Sequence, residues 1–214
     1  DSALAIAAAV VDGANNDAID GAQNIVATGV ANVATATIID GAGNAGATSF
    51  SIQDTVANIV DALVAGAAND VVDRAVNVTA TGQATVSEAS DIDAATNSGT
   101  TTYSITDTAA NIAAAIAAGP SNDVVDRAVD VTATGEASVA QLSAIDAANN
   151  SGSTIIAGLT VVDTVAALDL ANVSLKALLD ASDAVTVHDA FTALNAAGAD
   201  ACQGNCNEFA ATST

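Results

Sequence analysis

Carboxylates are the only side chains in this sequence numerous and regularly spaced enough to do chemistry. Asp70, Asp73, Asp123, Asp126 and Asp130 fall in two nearly identical stretches, NDVVDRAVNVTATGQATV from Asn69 to Val86 and NDVVDRAVDVTATGEASV from Asn122 to Val139. Two of the three basic residues, Arg74 and Arg127, stand at the same point of both. Ca2+ is one ligand such a set suits, since it takes several oxygens from carboxylates and carbonyls. Asp70, Asp73, Asp123, Asp126 and Asp130 are the candidate ligands, with Asn122 beside them, although their spacing matches no dedicated calcium loop. A structural reading competes with it. If residues one period apart line up, Asp70 meets Asp123 and Asp73 meets Asp126, and a row of like charges is unfavourable unless a cation intervenes. A planar guanidinium between successive carboxylates supplies one, so Arg74 and Arg127 read as the counter-ions of an ion-pair ladder. In the first copy Asp20 holds the Asp73 position and Gly21 replaces the arginine.

Catalysis finds little support. His188 is the lone histidine, and no nucleophile elbow, phosphate-binding glycine loop or His–Cys cluster accompanies it. Lys176 and the two arginines form no basic pocket, and paired carboxylates arise by chance in any acidic surface. The expectation is a protein that is not an enzyme. Cys202 and Cys206, in ADACQGNCNEF, fit a small disulfide loop of an oxidising compartment; a metal site there would have only Asp200 and Glu208 to add. Asn77, Asn149 and Asn172 each begin an Asn-x-Ser/Thr acceptor pattern.

Charge and composition bound the remaining choices. Lys+Arg number 3 against Asp+Glu 25, a formal net charge of -22, which excludes nucleic acid and anionic lipid as partners and attracts divalent cations. Hydrophobic residues make up 51% but aromatics only 2%, so the core is built from Ala, Val, Ile and Leu and suits thin, regular layers. The longest apolar run, Ala3 to Val11, is far below the roughly 18 residues that span a bilayer.

Positioning comes from a period. Arg127 follows Arg74 by 53 residues, Asp107 follows Asp54 by 53, and Tyr103 follows Phe50 by 53. Fixed spacing on this scale marks an array whose units cannot bury their apolar faces alone. Within a unit, TTTYSI from Thr100 to Ile105 reads as a strand, Asp107 caps the helix TAANIAAAIAAG, AVDVTATG reads as a second strand, and SVAQLSAIDAANNSG reads as a second helix. Ser138 and Gln141 have capping-box spacing, as do Thr85 and Glu88. Parallel strands need helical crossovers, so the expected fold is α/β: a right-handed solenoid of βαβα repeats, parallel strands on one side and short helices on the other, with a compact parallel α/β domain as the alternative that the exact period argues against. The expected units are a partial one at 1–15, repeats at 16–68, 69–121 and 122–177, and a cap at 178–214 carrying the cysteines, all in one elongated domain. The third copy breaks the frame. Asp163 lies 56 after Asp107, so about three residues are inserted around Thr154 to Leu159, and no clear second strand follows before a last helix from Val187 to Ala197. Phe50 and Tyr103 share a register as a buried or rim pair. The Thr-x-Thr rungs at Thr79 and Thr81 and at Thr132 and Thr134 make a plane small for ice binding and read better as strand propensity.

YSITDTAANIAAAIAAG and VDVTATGEASVAQLSAIDAANNSG resemble repeats in large secreted bacterial surface proteins, adhesin-like and haemolysin-type chains of cyanobacteria and proteobacteria. The resemblance covers roughly residues 16 to 198. It implies an extracellular or cell-surface location and a structural or adhesive role, often with Ca2+, although the calcium nonapeptide GGxGxDxUx of such chains is absent.

Two functions follow as expectations. One is an extracellular structural subunit that assembles head to tail with copies of itself into a filament or surface layer, using Leu4, Ile6, Val10 and Val11 of an open amino end. The other is a calcium-dependent adhesion module, with cell-surface polysaccharide as partner.

Overall fold

The computed structural model describes residues 1–12, 17–66, 71–119, 124–156, 158–163 and 184–187. The chain opens with helix α1 (Ala3–Val11) and the single turn α2 (Asp17–Asp20), then alternates strands and helices: β1 (Ile25–Ala31), α3 (Val33–Asp40), β2 (Thr48–Thr55) and α4 (Val56–Val64). The turn α5 (Val71–Arg74) leads into β3 (Val78–Ala84), α6 (Val86–Asp93), β4 (Thr101–Thr108) and α7 (Ala109–Ala117). A further turn, α8 (Val124–Arg127), precedes β5 (Val131–Thr134), β6 (Glu136–Ala137), α9 (Val139–Asp146), β7 (Thr154–Ile155), β8 (Thr160–Asp163) and β9 (Ala184–Val187).

The fold is α/β. Six strands pair in the order β1-β2-β3-β4-β5-β7, and β6-β8-β9 form a second, three-stranded sheet. Every pairing is parallel, so each connection must climb back to the starting end of its neighbour, which the intervening helices do. Alternation within the strands decides which face they cover. In β3, Val78, Ala80 and Ala84 are buried whereas Thr81 and Gln83 are exposed. The buried face meets the helices in one continuous aliphatic core, with Ile52, Val78, Ile105 and Val131 from the sheet and Ile59, Ile92, Ile112 and Leu142 from the helices. Phe50 and Tyr103 are both buried in that core, at 2% and 1% exposure.

Local chemistry explains the boundaries. Ser2, Thr55 and Thr108 cap α1, α4 and α7 by accepting the N–H of the third helical residue. Thr108, one residue beyond the expected Asp107, is thus the cap of α7. Both capping boxes read from the sequence are formed, Thr85 with Glu88 and Ser138 with Gln141. Helix α1 has the length and cap of α4 and α7 and lies 53 residues before α4, so it is a whole helix of the series. Ile6 is consequently 4% exposed and belongs to the core, because it shares the inward face with Ala3 and Ala7; it is corrected out of any surface set.

The third copy departs from the other two where the sequence arithmetic puts its extra residues. What is one strand in β2 and in β4 is split into β7, which pairs with β5, and β8, which pairs with β6. A second strand does exist: Ala184–Val187 pairs with β8, Asp163 opposite Val187. Val187 is therefore in a strand, and residues 188–197 of the expected last helix lie outside the described residues. His188, Lys176, Cys202 and Cys206 lie outside the described residues.

Two glycine series shape the strands. Gly29, Gly82 and Gly135 have φ of 79°, 90° and 81°, a region open chiefly to glycine, and pairing skips register across the first two. Gly99 serves a different need: a Cβ there would meet Val76 O at 2.6 Å and also collide with the Asn77 side chain, while nothing lies within 4 Å of one at Gly82. Gly99→Ala must move backbone and is expected to cost about 2–3 kcal/mol, the upper part of the overpacking range. Gly82→Ala pays only left-handed strain of about 1–2 kcal/mol. Urea unfolding of both variants measures the order.

Candidate functional site

The acidic groups converge on backbone N–H groups of neighbouring strands and helices. The first turn of a helix leaves N–H groups without intrahelical acceptors. In α3 the cap Asn32 takes the N–H of Thr35, at 2.8 Å, but the N–H of Val33 is left over. Asp54, on the next strand, accepts it on Oδ2 at 2.9 Å. Its Oδ1 accepts from Thr55 N and Asn58 Nδ2, both at 2.8 Å, at the start of α4. One carboxylate thus joins the beginnings of two successive helices, where negative charge also suits the helix dipole. Asp107 does the same for α6 and α7, accepting Val86 N at 2.9 Å, Thr108 N at 2.7 Å and Asn111 Nδ2 at 2.8 Å. Asp163 accepts Val139 N of α9 at 3.0 Å. For Asp54 and Asp107, burial acts to raise the pKa, but the hydrogen bonds outweigh it and hold both below the ordinary aspartate value.

Of the five carboxylates singled out as calcium ligands, Asp70 and Asp123 lie outside the described residues. The other three are loop staples. Asp73 Oδ1 accepts Thr96 N at 2.7 Å, Asp126 Oδ1 accepts Asn149 N at 2.8 Å, and Asp130 Oδ1 accepts Ser153 N at 2.8 Å. Asn77 occupies the place of Asp130 one copy earlier and accepts Thr100 N at 2.9 Å, so the bond does not need a charge. Among the described residues no three His, Cys, Asp or Glu side chains gather as a metal would require. The geometry explains why. One 53-residue step passes two strands of the sheet, for example β2 to β4 across β3, so matched side chains stand about two strand spacings apart, ~10 Å. Calcium–oxygen bonds of about 2.3–2.6 Å do not bridge that gap.

The same spacing corrects the arginine ladder. Arg74 lies 2.7 Å from Asp40 Oδ2 at the end of α3, and Arg127 lies 2.6 Å from Asp93 Oδ2 at the end of α6. Asp40 and Asp93 are themselves 53 residues apart, a signal the sequence carried in plain sight. Around Asp93 the second pair gains a third member. Tyr103 Oη lies 3.0 Å from Val124 O and 3.3 Å from Asp93 Oδ1, sharing its one proton between them. Burial foremost, then the Asp93 charge, pushes the phenol up, so it stays a neutral donor. Thr81 and Thr134, read as half of a threonine plane, donate to Asp54 O and Asp107 O at 3.0 and 3.1 Å.

One shallow groove, between α1 and α3, is lined by Leu4, Ala8, Val11, Asp12, Thr35 and Ile38. A second, smaller hollow lies between α3 and α4, with Asp54, Asn58 and Asp61 among its walls. Among the described residues no helix is long and apolar enough to cross a membrane. Comparison with protein-family models, with curated proteins and with solved structures gives no match.

Two outcomes follow from this geometry. A depressed folded-state pKa contributes stability that is complete above the unfolded aspartate value, about 3.9, and is lost as pH falls through the lower folded value. Asp107→Asn keeps one acceptor of two and is expected to cost about 1.5–3 kcal/mol at pH 7, its deficit against wild type shrinking below about pH 4; melting curves across pH 2–7 read this. Arg127 is 49% exposed, so Arg127→Ala is expected to cost under about 1 kcal/mol and less at molar salt. Truncating the buried Ile112 in the same assay should cost about 2–5 kcal/mol.

Proposed function

We propose that the protein is an extracellular structural subunit: a right-handed α/β solenoid of 53-residue units that associates end to end with copies of itself into a filament or layer. The observation that carries the reading is that the side-chain to backbone bonds joining successive strand–helix units are local and repeated. Asp54 with Val33 and Asp107 with Val86 join residues 21 apart, while Asp73 with Thr96 and Asp126 with Asn149 join residues 23 apart. A structure made of such bonds can be extended by the same bonds. A right-handed path is the ordinary sense for parallel strands joined by helices, and the sequence resemblance to secreted bacterial surface repeats supports the location.

The outermost strand of the six-stranded sheet gives the reading a place to act. On β1, Val26 and Val30 are 61% and 55% exposed, where the matching positions of β3 carry Thr79 and Gln83. Among the described residues that edge is covered in part, by the bridge from Ser2 to Thr28 and the bonds from Thr28 N to Asp1 O and from the Asp1 amino group to Val26 O. An incompletely paired strand with apolar side chains invites another strand.

Sedimentation and negative-stain microscopy at rising concentration, with Ca2+ and then with chelator, test the proposal. The expected result is concentration-dependent rods or sheets in both conditions, weakened in Val26→Thr/Val30→Gln, which copies the residues of β3. A protein that stays monomeric throughout sinks it, and assembly only with Ca2+ would move the contact to bound ions.

A further inference from the structure

The internal repeat says what fits beside β1. Ser2 bridges Thr28 in parallel, and 53 residues on Thr55 pairs with Thr81 in the same register. Asp1 and Ser2 therefore stand where Asp54 and Thr55 end β2. Before them the edge is open. Where β2 meets β3, Ile52 N donates to Asn77 O and Val76 N donates to Phe50 O, both at 2.8 Å. Where β4 meets β5, Ile105 N donates to Asp130 O and Val129 N donates to Tyr103 O, again at 2.8 Å. The matching groups just before β1 are the Gln23 N–H and the Asn24 carbonyl, and among the described residues neither has a partner. Burial changes at the same place. Val72 and Val125 are 0% exposed, as are Ala75 and Ala128, whereas the matching Ile19 and Ala22 are only half-buried. Ala18 is exposed where Val71 and Val124 are buried. A donor, an acceptor and an uncovered end of the core thus lie side by side.

We propose that the edge at residues 23–26 is a strand-docking site, which takes an extended, uncharged segment of another polypeptide parallel to β1, with an aromatic residue and, two places on, an isoleucine turned inward. The inference rests on the reading of β1 as an open edge and gives that edge a partner besides copies of the chain. The pattern is that of Phe50 and Ile52 in β2 and of Tyr103 and Ile105 in β4, the strands that cover the matching positions of β3 and β5. Alternation turns the aromatic residue and the isoleucine toward Ile19 and Ala22, and the polar residues between them toward water. Backbone bonds to Gln23 and Asn24 supply affinity and the inward side chains supply specificity, as where a strand is added to any sheet edge. A folded copy of this chain has no such strand to lend, because β2 and β4 are each paired on both sides. Charge points the same way, since a chain of net charge -22 admits an uncharged segment more readily than an acidic one.

A pair of synthetic peptides tests it: acetyl-TSFSIQ-amide, which copies Thr48 to Gln53, and acetyl-TFISSQ-amide, of the same composition but with the apolar residues adjacent, so that no register turns both inward. Each is titrated by NMR into the Val26→Thr/Val30→Gln variant, which changes exposed side chains and keeps self-association from competing. TSFSIQ is expected to bind roughly tenfold or more tighter than TFISSQ, the difference that one well-covered apolar side chain makes. Bound TSFSIQ slows exchange of the Gln23 amide hydrogen by roughly tenfold or more, and a nitroxide at its carboxyl end, not at its amino end, broadens the Ser2 amide signal. Ala18→Glu, at an exposed position, sets a charge where the aromatic ring would lie and is expected to weaken TSFSIQ by roughly tenfold or more, with circular dichroism confirming the fold. Equal affinity for the two peptides, no binding of either, an antiparallel peptide, or full affinity in Ala18→Glu overturns the proposal. A protein that stays monomeric at every concentration yet binds TSFSIQ removes the proposed assembly and leaves this inference standing; one that assembles while the variant binds neither peptide removes this inference alone.

Discussion

Everything in this structure depends on satisfying the starts of helices that are too short to hold themselves. Helices of eight or nine residues are marginal in isolation, because nucleation is unfavourable and few bonds follow it. Here each is held by an aliphatic face against the sheet and by acceptors at its first turn. The aspartates that precede the caps Thr55 and Thr108 reach back to the previous helix as well as forward to their own, as Asp54 does between Val33 and Asn58. Strand register and helix position are therefore set by the same side chain. Moving β2 by one residue would turn Phe50 and Ile52 out of the core and pull Asp54 away from α3.

This gives six of the described carboxylates a structural role. Asp54, Asp107 and Asp163 cap helices, while Asp73, Asp126 and Asp130 anchor loops. A carboxylate is an acceptor on both oxygens and has no hydrogen to place wrongly, so it suits a position where two or three N–H groups converge. The arginines are secondary. Half-exposed ion pairs contribute little beside a buried isoleucine, and the first copy manages without Tyr103's hydroxyl by placing Phe50 there.

Much of the fold was legible in the sequence because its signals are local. The strand read at Thr100 to Ile105 follows from its β-branched and aromatic alternation, though it runs on to Thr108, and the capping boxes at Thr85 and Ser138 and the three extra residues before Leu159 follow from spacing. The candidate site was less legible for a geometric reason. Matching positions 53 apart are not neighbours, because each period holds two strands, and true neighbours lie 21, 23 or 27 residues away, as in Asp54 with Val33, Asp73 with Thr96 and Thr81 with Asp54. That difference sets Arg74 beside Asp40 rather than between successive aspartates. Ile6 was misplaced for a simpler reason: an apolar run was read whole, when the i, i+3, i+4 pattern of Ala3, Ile6 and Ala7 already marks the inward face.

The parallel strands also fix how the molecule would answer a mechanical load. Their hydrogen bonds point along the stack, and pulling the stack apart stresses the bonds of the end strand before the others share the force. Tension would peel the protein open one strand–helix pair at a time, each freed stretch between β2 and β3 or β3 and β4 paying out many times the ~4.8 Å it occupied when folded. Such a chain gives way in small steps at low force and recloses from whatever remains stacked, which makes it a compliant, extensible element rather than a stiff strut.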